Sequence, residues 1–370
     1  MLRLLLLVIL FLLSLLSVFQ APTYHLWLAA VAVTEFPIVF AGLTLLLLAA
    51  GYLTEKFRLW GTITGVAAFV LFLVPVVSAF SISKTLDSSL NKTFNLSGNF
   101  HFSFPKLFRR AEASHSHKSG GYVIYQNQSL KLDFYKADST GKRPCVLVIH
   151  GGSWKSGDNK QLPELNHHLA EAGYHVAAIN YRLAPRFNHP LPVQDVRSAL
   201  DYLKTHATKL AIDSSRFVLL GRSAGAQIAL LAAYTLNDKA VKGVIDFYGP
   251  ADMVWGYSEP SNPLVMNSRK VMEDYLGGTY NAVPQSYESS SPINYVSERS
   301  VPTLIIHGKN DVLVAYEHSI RLQDKLNRYR VKNYFLSLPW ATHGFDYNLN
   351  GPGGQLSTYA VKQFLEYATR

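Results

Sequence analysis

Apolar positions are concentrated at one end of this chain. From Leu2 to Phe19 they form a nearly unbroken run with Arg3 as its single charge. A second run extends from Leu26 to Leu53, interrupted by Glu35 and Pro37, and a third, Leu59 to Ile82, holds Pro75 and no charge. Lipid offers backbone groups no partners, so apolar runs of this length predict membrane helices. Three spans are expected, near 2–19, 30–53 and 59–82, making residues 1–83 a membrane-spanning region with Glu35 near an interface. The first run also suits a cleaved signal peptide. However, Phe19 and Gln20 crowd the only cleavage site, near Ala21, and the run's length and uniformity favour retention. Residues 84–120 are rich in Ser, Asn, Lys and His and end in Ser119-Gly120-Gly121, which reads as a polar linker.

From Gly121 the pattern changes to short β-branched and aromatic runs alternating with helical periods. Strands are expected at Tyr122–Gln126, Leu130–Tyr135, Cys145–Ile149, Val176–Asn180, Arg216–Leu220, Val241–Phe247, Thr303–Ile306 and Tyr334–Leu338. Helices are expected at Leu162–Ala172, about Val193–Thr205, Ala224–Tyr234, about Tyr316–Arg328 and Gln355–Ala368. The first two strands read as an antiparallel pair turning at Asn127-Gln128. The alternation then implies an α/β domain over 121–370, with a mostly parallel central sheet and helices on both faces. In such sheets functional groups gather beyond the carboxyl ends of the strands.

Composition narrows the options. A chain of 370 residues that is 48% hydrophobic and 16% charged is too apolar to be disordered. Its one cysteine, Cys145, excludes an intramolecular disulfide framework and multi-cysteine metal sites. The net charge is +10; Arg3, Lys56 and Arg58 against Glu35 and Glu55 leave only +1 in residues 1–83, so the rest of the chain carries +9. That excess suits an anionic membrane or envelope surface. No basic stripe interleaved with aromatics points to nucleic acid, and no Walker loop, H-E-x-x-H or dinucleotide fingerprint is present. Lys56 and Arg58 mark the most basic short loop, which predicts a cytoplasmic N-terminus and an extracytoplasmic α/β domain. Asn91, Asn95 and Asn127 begin glycosylation sequons, and His115 and His117 read as stray loop histidines rather than metal ligands.

Chemistry is expected at three strand ends. Gly221-Arg222-Ser223-Ala224-Gly225 is a G-x-S-x-G segment between a strand and a helix, where small residues permit a sharp turn that projects Ser223. A serine hydroxyl needs a base and an orienting acid. Asp311 follows the strand ending at Ile306, and His343 follows the strand ending at Leu338. The order Ser, Asp, His fits this strand–turn–helix arrangement. Asp346, Asp324 and His318 are rivals, the last two on a helix expected to pack away from the sheet edge. After Ile149 comes His150-Gly151-Gly152-Ser153-Trp154, where the N–H groups of Gly151 and Gly152, with that of Ala224, suit an oxyanion hole. Ala251–Ser300 is a long aromatic connection that reads either as a pocket wall or as a surface excursion. Trp154, Trp255, Tyr257 and Trp340 are the candidate pocket residues.

The stretch from Val146 to Tyr347 resembles an α/β-hydrolase of the carboxylesterase and lipase type, near the hormone-sensitive-lipase-like esterases. The resemblance rests on His150–Trp154, Asn180-Tyr-Arg-Leu-Ala-Pro185, Gly221–Gly225, His307-Gly-Lys-Asn-Asp311 and His343-Gly-Phe345. Ser153, where many members have a third glycine, and Arg222 within the elbow depart from the common pattern. The resemblance implies an α/β-hydrolase fold, a structural role for His150, and a serine hydrolase that cleaves carboxylic esters without metal or cofactor, which the apolar runs would anchor in a membrane. The substrate would be an ester, and the anchor points to a lipid- or envelope-linked one. The same residues would also serve acyl transfer or amide cleavage, and a non-catalytic membrane-tethered module on this scaffold is the alternative of another class. Oligomeric state is left open.

Overall fold

Alternate residues of the central strands face opposite ways, as the period of a strand requires. In the computed structural model, which describes residues 1–53, 58–109, 111, 117–125 and 128–370, this alternation builds two cores on one sheet. The strands are β1 His117–Tyr125, β2 Gln128–Tyr135, β3 Arg143–Ile149, β4 His175–Ile179, β5 Ile212–Arg222, β6 Val241–Phe247, β7 Thr303–Gly308 and β8 Asn333–Leu338. Their spatial order is β1-β2-β4-β3-β5-β6-β7-β8; β1 and β2 run antiparallel to their neighbours and all other pairs are parallel. The expected strands are thus present, with β1 starting five residues earlier than its aromatic run suggested.

The first four helices are α1 Leu2–Ser14, α2 Tyr24–Glu35, α3 Pro37–Ala49 and α4 Arg58–Phe94. Within the α/β domain come α5 Pro163–Glu171, α6 Leu191–Thr205, the short α7 Ala207–Leu210 and α8 Ala224–Thr235. Short helices α9 Met253–Ser258, α10 Ser268–Leu276 and α11 Pro284–Ser290 fill the long connection, and α12 Glu317–Arg328 and α13 Pro352–Ala368 close the chain. Leu147, Ile149, Phe217 and Leu219 pack with α6 and α8 on one face of the sheet. Val146, Val148, Val218 and Leu220 pack with α5 and α13 on the other.

Three expectations for the N-terminal third need correction. The first apolar run forms only α1 and a short 3-10 turn, Leu15–Ser17. The second is bent by 86° between α2 and α3, because Pro37 cannot continue the helix that precedes it. Among the described residues one helix, α4, is long and apolar enough to cross a membrane, or two if the bent pair counts as a single span. The polar linker is also not a free tether. Helix α4 continues to Phe94, and its Leu86, Leu90 and Phe94 are buried in the same core as α13. Burying each such side chain contributes about 1.5–3 kcal/mol. The polar residues between Lys84 and Phe94 mark the outer face of the last turns of this helix, and irregular chain follows only after it. Asn91 bridges the end of the helix to Gly98, donating to its carbonyl and accepting from its N–H. Downstream, Phe100 stacks on Tyr359 and the Ser103 N–H donates to Gln355. His117 lies in β1 beside Tyr135. Lys56, His115 and the turn and sequon at Asn127 fall outside the described residues.

Candidate active site

Ser223 links β5 to α8 with φ 53° and ψ −122°, a conformation that costs an L-residue energy and needs its surroundings to hold it. Two glycines make that turn possible. A Cβ on Gly221 would meet the Gly225 carbonyl at 2.3 Å, and one on Gly225 would meet the carbonyls of Ile149 and His150 at 2.3 Å. The turn is pinned by the Ser223 N–H, which donates to the Phe247 carbonyl at 2.9 Å. The N-terminus of α8 lies directly behind, where its unpaired N–H groups favour negative charge.

His343, in the loop after β8, is held through Nδ1 by Asp311 Oδ2 at 2.6 Å, leaving Nε2 as its free nitrogen. Asp311 is fully enclosed and fixed by three further donors: the N–H groups of Leu313 (2.8 Å) and Val314 (2.9 Å) on Oδ1, and His307 Nε2 (3.1 Å) on Oδ2. Burial alone would push its carboxyl up, but His343 and His307 outweigh that and hold it well below the usual carboxylate range. Ser223 and His343 line one cleft. Asp346 is occupied elsewhere. It accepts from Arg222 Nε and from the Tyr248 hydroxyl, each at 2.5 Å, and the Tyr248 ring lies 4.4 Å from that of His343. Arg222 of the elbow therefore ends in a buried ion pair behind the histidine. Nothing in its sequence neighbourhood signals this, since the partner lies 124 positions away. His318, expected to pack away from the edge, instead lines a small compartment beside Ser223.

The loop after β3 turns through three consecutive residues of positive φ: Gly152 (119°), Ser153 (54°) and Trp154 (59°). A Cβ at Gly152 would overlap the Ser156 carbonyl, 2.1 Å away, so that position requires glycine. The N–H of Gly151, expected to face an oxyanion, instead donates to Gln161 Oε1 at 2.7 Å. Among the described residues the N–H groups of Gly152, Ser153 and Ala224 meet no protein acceptor. His150 stacks on Tyr181 at 4.3 Å and binds the Gly151 carbonyl through Nδ1. Burial, only partly offset by that bond, brings its pKa down to about 4, which keeps the ring neutral.

Of the four candidate pocket residues, only Trp154 lines the site. It stacks flat on Tyr275 at 4.5 Å and donates to Gln227 at 2.9 Å. Trp340 is 2% exposed and belongs to the core under the sheet. Trp255 and Tyr257 line a separate surface pocket with Asp252 and Arg321; the Trp255 ring packs edge-on against His318 and that of Tyr257 against Tyr287. Two spaces meet at Ser223. One, of about 60 Å³, is enclosed by Trp154, Met272, Val314 and His318. The other, of about 680 Å³, is bounded by Gly152, Tyr248 and His343 on one side and by α2 on the other. No sequence signal had placed α2 there.

A family model described as BD-FAE matches residues 132–326, more than half of the chain. The chain belongs to the BD-FAE family. The BD-FAE match contains Gly151, Gly152, Ser223, Ala224 and Asp311, and leaves out His343 and all of α1–α4. Among curated proteins the chain is similar to a probable carboxylic ester hydrolase, LipM, of Mycobacterium tuberculosis, with 32% identity over 63% of this chain and 57% of that protein. It is also similar to esterase LipC of the same organism, with 28% identity over 62% and 60%. The chain thus matches somewhat under two thirds of the length of these relatives. Among solved structures a bacterial heroin esterase superposes with a TM-score of 0.61 and 22% identity over 78% of this chain and 92% of that one, a likeness of fold.

Proposed function

We propose that this BD-FAE chain is a carboxylic ester hydrolase that works through a serine acyl-enzyme. The observation that carries the reading is Ser223, held in a strained turn at a helix N-terminus in the same cleft as a histidine whose other nitrogen is bound to a buried carboxylate. In this reading His343 Nε2 takes the Ser223 proton as Oγ attacks the ester carbonyl. Asp311 keeps the ring in the right tautomer and stabilises the imidazolium. The N–H groups of Gly152 and Ala224, joined by that of Ser153, receive the developing oxyanion. Gly151 would contribute only if Gln161 moved away. The proton passes from His343 to the leaving alcohol, and water activated by the same histidine then releases the acid. The relatives' names as carboxylic ester hydrolase and esterase support the reaction class.

Membrane residence is part of the proposal. The first half of α4 exposes Leu59, Trp60, Ile63, Val66 and Val70, each about half exposed or more, along a helix long enough to span. We place the N-terminus in the cytoplasm and the α/β domain outside. A protease-protection assay on intact cells contradicts this orientation if the domain stays shielded until lysis. The reaction is tested by assaying the full chain on p-nitrophenyl esters beside Ser223→Ala. Turnover in the unmodified chain alone supports the proposal, and equal turnover in both removes it.

A further inference from the structure

A tethered enzyme would hold its catalytic domain away from the bilayer on a polar stalk, and the apolar segment would have no part in its chemistry. Here α2 lies across the mouth of the site. Leu28, Val31, Ala32 and Phe36 form one wall of the larger cleft, facing Gly152, Ser223 and His343. The helix is latched twice in its first turn and once at its last residue. The Tyr24 N–H donates to the Leu264 carbonyl at 3.1 Å, Trp27 Nε1 donates to the His343 carbonyl at 3.1 Å, and Asn348 Nδ2 donates to the Glu35 carbonyl at 2.9 Å. The rim is apolar and open: Leu28 is 47% exposed and Phe36 38%. That rim runs directly into α3, which is joined to α2 at the Phe36–Pro37 bend and packs against the spanning helix α4.

These observations join three things that are usually separate: the candidate nucleophile, an apolar cleft much larger than a small ester needs, and an apolar surface leading to the membrane. We propose that α2 is the binding wall for the long apolar part of a membrane-resident ester, which enters the cleft from the bilayer side. The substrate class is an amphiphilic ester with one long apolar substituent, lying along Leu28, Val31 and Ala32, and one small substituent in the compartment beside Trp154. That compartment, about 60 Å³, holds only a few heavy atoms. The inference rests on the hydrolase reading of Ser223, and α2 contributes specificity rather than chemistry.

The test uses the full chain in detergent micelles, with methyl acetate as short ester and methyl laurate and dodecyl acetate as long ones. Both long esters are needed because either side of the ester could carry the chain. The unmodified chain should prefer one long ester over the short one. Ala32→Phe, which fills the cleft, should lower kcat/KM for that long ester by roughly tenfold or more while leaving methyl acetate within about twofold. Leu28→Ala, which adds no bulk, should raise KM for the long ester several-fold with kcat kept. Val39→Trp, on the exposed face of α3 outside the cleft, should behave as the unmodified chain. Labelling of each variant by a fluorophosphonate reports an intact Ser223. Intact labelling with long and short esters affected alike, or neither affected, overturns the role of α2 alone. No labelling and no turnover in the unmodified chain removes the hydrolase reading, and this one with it.

Discussion

The central strands of the sheet and the four N-terminal helices are both apolar in sequence, yet they use that apolarity differently. At the sheet edge, buried strands carry residues into fixed loops, so that Ser223, Asp311 and His343 come from three separate strand ends to one place. In the N-terminal segment the apolar residues divide by position. Those of α4 near Phe94 enter the domain core, those near Trp60 stay uncovered, and those of α2 wall the cleft. The difference shows that an apolar run states what must leave water and not what will cover it.

Four substitutions sharpen or break that contrast. The largest effect belongs to the sheet edge. Asp311→Asn keeps the shape but presents the wrong partner to His343, and should lower kcat by about four orders of magnitude. A loss under tenfold would detach Asp311 from the reaction. Next, Leu90→Ala tests whether α4 belongs to the domain. Leu90 is fully buried, so denaturant unfolding should show a loss of about 2–5 kcal/mol. An unchanged midpoint would restore the free linker.

Asp246 gives a pH-dependent effect of intermediate size. Burial raises its carboxyl to about 7, against the opposing pull of His307 and the Gly249 N–H. The folded chain therefore keeps a proton that the unfolded chain gives up near pH ~4. Stability from this group is full below about pH 4 and is lost as pH rises toward 7. Asp246→Asn should melt with the native protein near pH 4 and above it beyond pH 7, and parallel curves across that range would contradict the assignment. The smallest effect is expected from Trp27→Phe, which removes the bond to the His343 carbonyl. It should cost about 1 kcal/mol, read as a several-fold fall in kcat/KM, and no change would make that latch incidental.

Much of the sheet edge was legible in sequence because its rules are local. Gly221 and Gly225 flank Ser223 for steric reasons that act within five residues, and the strands around them alternate in the period that their two cores demand. The same logic found the His343–Asp311 pair, each just beyond a strand. What escaped notice depends on distant contacts. Arg222 meets Asp346 far along the chain, Gln161 folds back on the Gly151 N–H, and Trp255 and Tyr257 of α9 face a separate pocket. The spans failed for a mixed reason. Pro37 was visible as a breaker, yet hydropathy gave it no weight against the apolar residues around it, and the Ser, Asn and Lys after Ile82 hid the buried stripe of Leu86, Leu90 and Phe94.

The central claim, that this BD-FAE chain acts through a strained serine at the end of β5, is tested most directly by mapping a covalent adduct. The full chain would be treated with diisopropyl fluorophosphate until ester turnover stops, then digested and sequenced by mass spectrometry. One phosphoryl group per chain on Ser223, with loss of activity in proportion to its occupancy, is the predicted result. Full inactivation with the adduct on another residue, or sustained ester turnover with Ser223 fully modified, would contradict it.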